Sequence, residues 1–263
     1  MPQYGMVIDL QQCVGCGACA IACKTENNTQ DRAGGQTFNW ADYFYKTEGT
    51  FPNVSAVTMP VMCNHCSDAA CVAACPTTPK AMHKHANGLT VHNEDRCIGC
   101  RLCQAACPYS AEDVGKEQAA YSVLSFNAEE PHGKYRDTAA VLAGLTASGA
   151  EVARKAGATP PYRTQYTHSD YRDVRRKAVV EKCNLCEHRV VNGEQPYCVV
   201  ACPAGARVFG DLQDPGSEVS KLLKTYPSVR LKNNKGETLQ AGEAGTRPNV
   251  HDIRSYRPAA RSA

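Results

Sequence analysis

The 263-residue chain is poor in aromatic side chains, which make up 7% of it, and Trp40 is its only tryptophan. It has no excess of one charge, because the formal net charge is only +3, and this balance argues against a nucleic-acid or membrane-surface binder. No run of eighteen apolar residues occurs, so the sequence predicts no transmembrane helix. Residues 1–13 show no basic region, apolar core or twin-arginine pair, and we expect no export signal there.

Sequence motifs of substrate chemistry are missing as well. There is no G-x-G-x-x-G, no Walker loop, no G-x-S-x-G and no C-x3-C-x2-C triad of the radical type. The sequence therefore predicts a protein without a catalytic site of its own.

Cysteine, by contrast, is abundant. The 16 cysteines fall into four quartets, and none is left over. The first and third quartets have the spacing C-x2-C-x2-C-x3-C, whereas the second has four residues before its third cysteine and the fourth has eleven. The quartets are Cys13, Cys16, Cys19 and Cys23; Cys63, Cys66, Cys71 and Cys75; Cys97, Cys100, Cys103 and Cys107; and Cys183, Cys186, Cys198 and Cys202.

This spacing is typical of iron-sulfur ligands. A tight loop points three thiolates at one cubane, and in two-cluster ferredoxins the last cysteine of each run binds the other cluster, so that quartets work in pairs. Sixteen thiolates therefore predict four 4Fe-4S clusters. Disulfides are one alternative, but such frameworks belong to short secreted chains. Zinc is another, and the C-x2-C halves near His65 and His188 keep it open for single quartets. We also expect these two histidines to donate hydrogen bonds that raise a cluster's potential.

Short strand-like segments accompany the quartets. They precede the first at residues 5–9, follow the last at 206–211, and form a hairpin around Asn87-Gly88 between the second and third. We predict an α+β fold of two bacterial-ferredoxin-like two-cluster lobes, with short antiparallel strands and helices plus irregular insertions. Lobe A comprises residues 1–56 and 178–215, and its two parts pair across a long insertion. Lobe B comprises residues 57–116.

Two further regions lie outside the lobes. Residues 117–177 are predicted to form an insertion or connector, with a helix that is capped near Asp137 or Thr138 and ends at Gly157. Its Tyr- and Arg-rich part, residues 162–177, is interpreted as a solvated connector or partner contact rather than a nucleic-acid patch. Residues 216–263 are predicted to be a C-terminal tail that wraps over the surface of this chain or of a neighbour.

The segments around the quartets also resemble a known family. GMVIDLQQCVGCGACAIACKTEN, MCNHCSDAACVAACP, RCIGCRLCQAACPY and EKCNLCEHR resemble the four-cluster electron-transfer subunit of the molybdopterin oxidoreductases of the dimethyl sulfoxide reductase family. Within that family, TEGTFPNV, SFN and ARVFGDLQDPGSEVS are most similar to the small subunit of respiratory arsenate reductase and its arsenite-oxidising relatives.

The resemblance implies an electron-transfer subunit that serves a large catalytic chain holding a molybdenum bis-pterin cofactor. Electrons would pass through four 4Fe-4S clusters between that chain and a quinol-oxidising membrane subunit or cytochrome. The implied ligand sets are Cys13, Cys16, Cys19 and Cys202 (site 1); Cys183, Cys186, Cys198 and Cys23 (site 2); Cys63, Cys66, Cys71 and Cys107 (site 3); and Cys97, Cys100, Cys103 and Cys75 (site 4). Site 1 would lie nearest the catalytic subunit and site 4 farthest from it.

Other functions share this pattern. A small subunit of a polysulfide, thiosulfate, tetrathionate or dimethyl sulfoxide reductase is one alternative, and a free polyferredoxin is another. The resemblance further implies a soluble or peripheral protein that is exported to the periplasm with a signal-bearing partner, while a cytoplasmic location is the alternative.

Overall fold

The computed structural model describes residues 1–27, 29, 39–110, 122–128, 149–158, 176–229 and 246–254. The predicted helix cap near Asp137 and residues 162–175 of the Tyr- and Arg-rich stretch lie outside this part of the chain. A helix does precede Gly157, as predicted.

Within these residues the chain forms ten strands and seven helices. The strands are β1 (Tyr4–Asp9), β2 (Ala41–Thr50), β3 (Asn53–Met62), β4 (Met82–Lys84), β5 (Thr90–His92), β6 (Leu124–Phe126), β7 (Val180–Lys182), β8 (Arg207–Asp211), β9 (Ser228–Val229) and β10 (Val250–Ile253). The helices are α1 (Ala18–Asn27), α2 (Ala70–Ala73), α3 (Leu102–Ala106), α4 (Gly149–Lys155), α5 (Glu187–Val190), α6 (Tyr197–Val200) and α7 (Glu218–Thr225).

The largest sheet has the strand order β8-β1-β10-β9. β1 is interior to it and pairs antiparallel with β8, which confirms the prediction that the segments beside the first and last quartets meet across the insertion. Met6 and Ile8 pack into the main core, while Val7 packs on the other face against α7. β1 is buried on both faces, so its continuous apolar run is what its position requires.

The segment after residue 216 contributes to this sheet instead of only covering the surface, so that part of the tail prediction is wrong. Val219 of α7 is fully buried, and β10 pairs in parallel with β1. Ile253 of β10 is fully buried as well. A four-residue strand in a stretch rich in Gly, Pro and charge is hard to recognise from composition. It nevertheless provides hydrogen-bond partners for the backbone groups along one edge of β1.

Three two-stranded sheets complete the description. β4 and β5 form the predicted hairpin. β2 and β3 form a longer hairpin that continues past the predicted lobe boundary at residue 56. β6, from the predicted connector, pairs with β7 just before the fourth quartet. Glu181 of β7 is fixed by Trp40 Nε1 at 3.2 Å and by Asn127 Nδ2 at 2.9 Å.

The main core is a mixture of aliphatic side chains and cysteines. Leu89, Leu124 and Leu185 are almost wholly buried in it, together with cysteines from each quartet. The cysteine-bearing turns therefore lie at the centre of the packing. In the part of the chain that is described, no helix is both long and apolar enough to cross a bilayer.

Candidate iron-sulfur sites

The four C-x2-C turns share one backbone feature. The residue before the second cysteine has a positive φ in each: 67° at Gly15, 44° at His65, 69° at Gly99 and 53° at Leu185. The left-handed conformation reverses the chain tightly, and only glycine adopts it without strain. In the second and fourth quartets, burial of His65 and Leu185 holds the turn in place of glycine.

The second half of each quartet is also repeated. The third cysteine is the second residue of a short helix, which is α1, α2, α3 or α6 in chain order. The fourth cysteine follows four residues later, about one helical turn along. The eleven residues between Cys186 and Cys198 add α5 without altering this unit.

The cysteines gather in groups that combine two quartets. One cleft is lined by Cys13, Cys16, Cys19 and Cys202. A second is lined by Cys63, Cys66, Cys71 and Cys107, and a third by Cys75, Cys97, Cys100 and Cys103. The remaining thiols, Cys183, Cys186 and Cys198, are buried and act electrostatically on Cys23. These groups coincide with sites 1, 3, 4 and 2.

Thiols of different sites also lie close enough to influence one another. Cys19 of site 1 acts on Cys198 of site 2. Cys63 of site 3 acts on Cys183 of site 2, and Cys71 of site 3 acts on Cys103 of site 4. These electrostatic influences connect the sites pairwise in the order 1, 2, 3 and 4.

Burial makes several of these thiols difficult to ionise. It raises the pKa of Cys66 and of Cys107 to about 12, with neighbouring thiols adding to the shift. The pKa of Cys183 is likewise raised to about 12, and that of Cys71 to about 11. A bare thiolate is costly in such surroundings, whereas a metal-bound cysteine is a thiolate because the metal supplies the opposing charge. The donor set fits a thiolate-ligated iron-sulfur cluster.

Hydrogen-bond donors surround several of the sulfurs. Backbone N–H groups of Met82, Leu185 and Ala206 lie 3.4, 3.3 and 3.3 Å from the Sγ atoms of Cys75, Cys183 and Cys202, respectively. Although burial opposes it, hydrogen bonds led by that of Met82 lower the pKa of Cys75. Bonds of this kind stabilise charge on the ligand and tune the potential of a cluster.

The sequence did not predict which side chains donate to the sulfurs, and Asn27 is one such donor. Asn27, at the end of α1, places Nδ2 3.6 Å from Cys23 Sγ and 3.9 Å from Cys186 Sγ at site 2. The signal was its position four residues after a ligand on a helix, which puts both side chains on one face.

The histidines have other contacts than those expected. His65 Nδ1 accepts a hydrogen bond from the backbone N–H of Thr90, and Nε2 has no hydrogen bond among the described residues. The expectation that His65 donates to a sulfur is therefore wrong, because its ring is turned toward the β5 backbone. His188 Nε2 lies 2.8 Å from Glu26 Oε1.

Two lysines, the buried Lys182 and the half-buried Lys84, lie beside sites 2 and 3. Lys182 Nζ donates to the carbonyl oxygens of Cys183, at 2.6 Å, and of Thr90. Lys84 Nζ donates to the carbonyl oxygen of Cys66 at 2.9 Å. Among the described residues, no three His, Cys, Asp or Glu side chains are arranged to hold a single metal ion.

Comparison with known proteins identifies this arrangement. A 4Fe-4S dicluster domain model matches residues 54–125 and 125–212, which together are more than half of the chain, and a 4Fe-4S binding domain model matches residues 6–26. The chain is 46% identical to the arsenate respiratory reductase iron-sulfur subunit of Shewanella sp. (strain ANA-3), over 97% of both chains.

Two other relatives are more distant. The iron-sulfur subunit of a putative dimethyl sulfoxide reductase of Halobacterium salinarum is 34% identical, over 90% of this chain and 76% of the relative. A sulfite dehydrogenase subunit of Allochromatium vinosum is 31% identical, over 95% of this chain and 82% of the relative. The chain therefore belongs to the family of 4Fe-4S dicluster proteins, among the iron-sulfur subunits of the dimethyl sulfoxide reductase family.

Proposed function

We propose that this chain relays electrons through four 4Fe-4S clusters between a molybdopterin catalytic subunit and a quinol-oxidising membrane subunit or cytochrome. The observation that carries the proposal is the grouping of the thiols, since each site combines three cysteines of one quartet with the last cysteine of another. Such clusters supply one-electron redox chemistry over a wide range of potentials.

The proposed wiring runs from site 1 to site 4. It is supported by the electrostatic influence that thiols of successive sites have on one another. It is supported also by exposure, because the exposed cysteines are Cys16 at site 1 and Cys100 at site 4. A relay needs its end centres close to the surface, where partners can approach, and we assign the catalytic subunit to the site 1 end.

The proposed fold is a pair of bacterial-ferredoxin-like lobes. For lobe A, the pairing of β1 with β8 brings the first and last quartets together, which supports the discontinuous assignment of residues 1–56 and 178–215. For lobe B, the β4–β5 hairpin joins the second quartet to the third within residues 57–116. Residues of β10 add a parallel strand to lobe A.

We infer that the catalytic partner is an arsenate reductase, or an enzyme that oxidises arsenite. Identity of 46% over nearly the full length of an arsenate respiratory reductase subunit supports this substrate. The alternative is a partner for sulfur compounds, in line with the sulfite dehydrogenase relative. We place the complex in the periplasm by co-export with a signal-bearing partner, which fractionation of cells would test.

The test is anaerobic co-purification of the chain with its large catalytic subunit. The proposal requires about sixteen iron and sixteen sulfide atoms per chain and paramagnetic signals after dithionite treatment. It also requires turnover of arsenate or arsenite rather than tetrathionate, sulfite or dimethyl sulfoxide. A colourless, zinc-loaded chain would overturn the cluster assignment, and a stable free monomer that retains its clusters would instead favour a polyferredoxin.

A further inference from the structure

Arg207, the first residue of β8, is a buried cation of lobe A. It is 3% exposed, and its Nη1 lies 3.1 Å from Met62 Sδ and 3.7 Å from Met6 Sδ. Its Nη2 makes no hydrogen bond within the described part of the chain. A buried charge costs several kcal/mol unless an opposite charge compensates it, so an anion is expected close to this guanidinium.

Asp252 of β10 is one source of compensation. It is buried, and its carboxylate is favoured by the charge of Arg207. Burial outweighs that attraction and raises the pKa of Asp252 to about 7, so the carboxyl is only partly ionised at neutral pH. Asp252 therefore offsets only part of the buried charge.

Cluster-bound cysteine thiolates would supply the rest. Arg207 lines the cleft of site 1, and its charge is coupled to Cys198 of site 2 and to Cys19 of site 1. One guanidinium thus lines site 1 and is electrostatically coupled to site 2, and its Nη2 still has donor capacity.

We propose that Arg207 is the counter-charge shared by sites 1 and 2 and that it raises the reduction potential of both. The inference rests on the proposed function, because it concerns the clusters expected at those sites. A cluster gains a negative charge when it is reduced, and a nearby cation in a poorly solvated interior favours that form. Because the same cation acts on both centres, it shifts their two reduction potentials in the same direction. The difference between the two potentials therefore stays small, and electrons can pass from one centre to the other.

The test replaces Arg207 by Gln in the full chain, purified in complex with its catalytic partner, and follows each centre by a redox titration with paramagnetic detection. The equilibrium constant for one-electron reduction should fall about tenfold, or about 59 mV, at sites 1 and 2 and stay unchanged at sites 3 and 4. Lys221→Met is the matched control, because it removes one positive charge from an exposed position on α7. The signal of site 1 is the one lost in Cys16→Ser.

An Arg207→Gln complex with full iron content and four unchanged potentials would overturn the inference. If that variant fails to retain iron, Arg207→Lys is the deciding variant, because lysine keeps the positive charge. Its equilibrium constants for one-electron reduction at sites 1 and 2 should stay within about threefold of the wild-type values. A tenfold fall in the lysine variant would show that packing, not charge, sets the potentials. Absence of any cluster signal in the wild-type complex would instead refute the proposed function.

Discussion

The outer sites and the inner sites are built from the same turn and helix, yet their surroundings differ. At outer sites 1 and 4 the left-handed turn residue is Gly15 or Gly99, and one thiol is exposed. At inner sites 2 and 3 the turn residue is Leu185 or His65, and both side chains are fully buried. Side chains therefore shield the turns of sites 2 and 3, whereas sites 1 and 4 each leave one thiol exposed, as the proposed electron exchange with partners requires.

The largest effect is expected when an inner ligand is compared with an outer one. Cys198→Ser alters a buried residue of the main core, so we expect loss of iron from more than one site and a marked fall in thermal stability. Cys16→Ser alters an exposed ligand, and we expect loss of about four iron atoms with the remaining sites intact. Iron content and thermal unfolding distinguish the two variants.

Both variants should abolish electron delivery from a quinol donor, because a relay fails when any centre is missing. Cys13→Ser, at the same outer site, should behave like Cys16→Ser. Unchanged turnover with the outer site empty would refute the wiring order, and equal losses of stability in the inner and outer variants would refute the difference in shielding.

A second comparison concerns the turn of an outer site. A methyl group at Gly99 would collide with the carbonyl oxygen of Ala178, and φ is 69° there. Gly205 has a similar φ of 61°, but no described atom lies within 4 Å of a methyl group at that position. Gly205→Ala should therefore cost only about 1–2 kcal/mol of backbone strain, whereas Gly99→Ala should cost more and release the cluster of site 4.

Chemical unfolding and iron release at matched temperature measure this difference. Equal losses of stability and of iron in Gly99→Ala and Gly205→Ala would mean that the positive φ alone determines the cost of the substitution. The close approach of Ala178 to the turn would then have no effect on the site.

The sequence predicted the repeated part of the molecule well. The structure has the hairpin at Asn87-Gly88, which was predicted from a local turn pattern. It also has the pairing of β1 with β8, which was predicted from the ligand chemistry of the cysteine quartets. The electron-transfer family was predicted from the same cysteine frame, and the comparisons confirm it. Strong local signals were sufficient there.

The parts that were missed depend on distant contacts. β10 is recognisable only through its partner β1, some 240 residues away, and Arg207 looks like an ordinary strand residue until β8 is placed against the site 1 cleft. Likewise His65 lies between two ligands in the sequence, but its ring direction is decided by the β5 backbone. Proximity in sequence therefore did not predict which side chains reach the sulfurs.

A smaller effect is expected from Lys182, which lies between the two inner sites. Its charge acts on Cys183 of site 2 and on Cys71 of site 3. Lys182→Met should lower the equilibrium constant for one-electron reduction of those two centres by about three- to tenfold. The potentials of the outer sites should not change. Lys80→Met is the control, because Lys80 Nζ also donates to two carbonyl oxygens but is exposed, so water screens its charge. Equal shifts in the two variants would argue against an effect of burial.

The smallest effect is expected from Asn27, which touches only site 2. Asn27→Leu removes the donor near Cys23 and Cys186 and should lower the potential of that site by less than about 59 mV, since a neutral hydrogen bond stabilises added charge less than a full cation does.

Asn192→Leu is the matched control. Like Asn27 Nδ2, Asn192 Nδ2 donates to the carbonyl oxygen four residues earlier, which is that of His188 at 2.7 Å. Unlike Asn27, it makes no hydrogen bond to a sulfur among the described residues. If a redox titration shows the same shift of the site 2 potential in both variants, the shift comes from the lost bond to the backbone and not from a lost bond to sulfur. A shift confined to Asn27→Leu, and to site 2, would show that the inner site is tuned by polar donors as well as by the buried cations beside it.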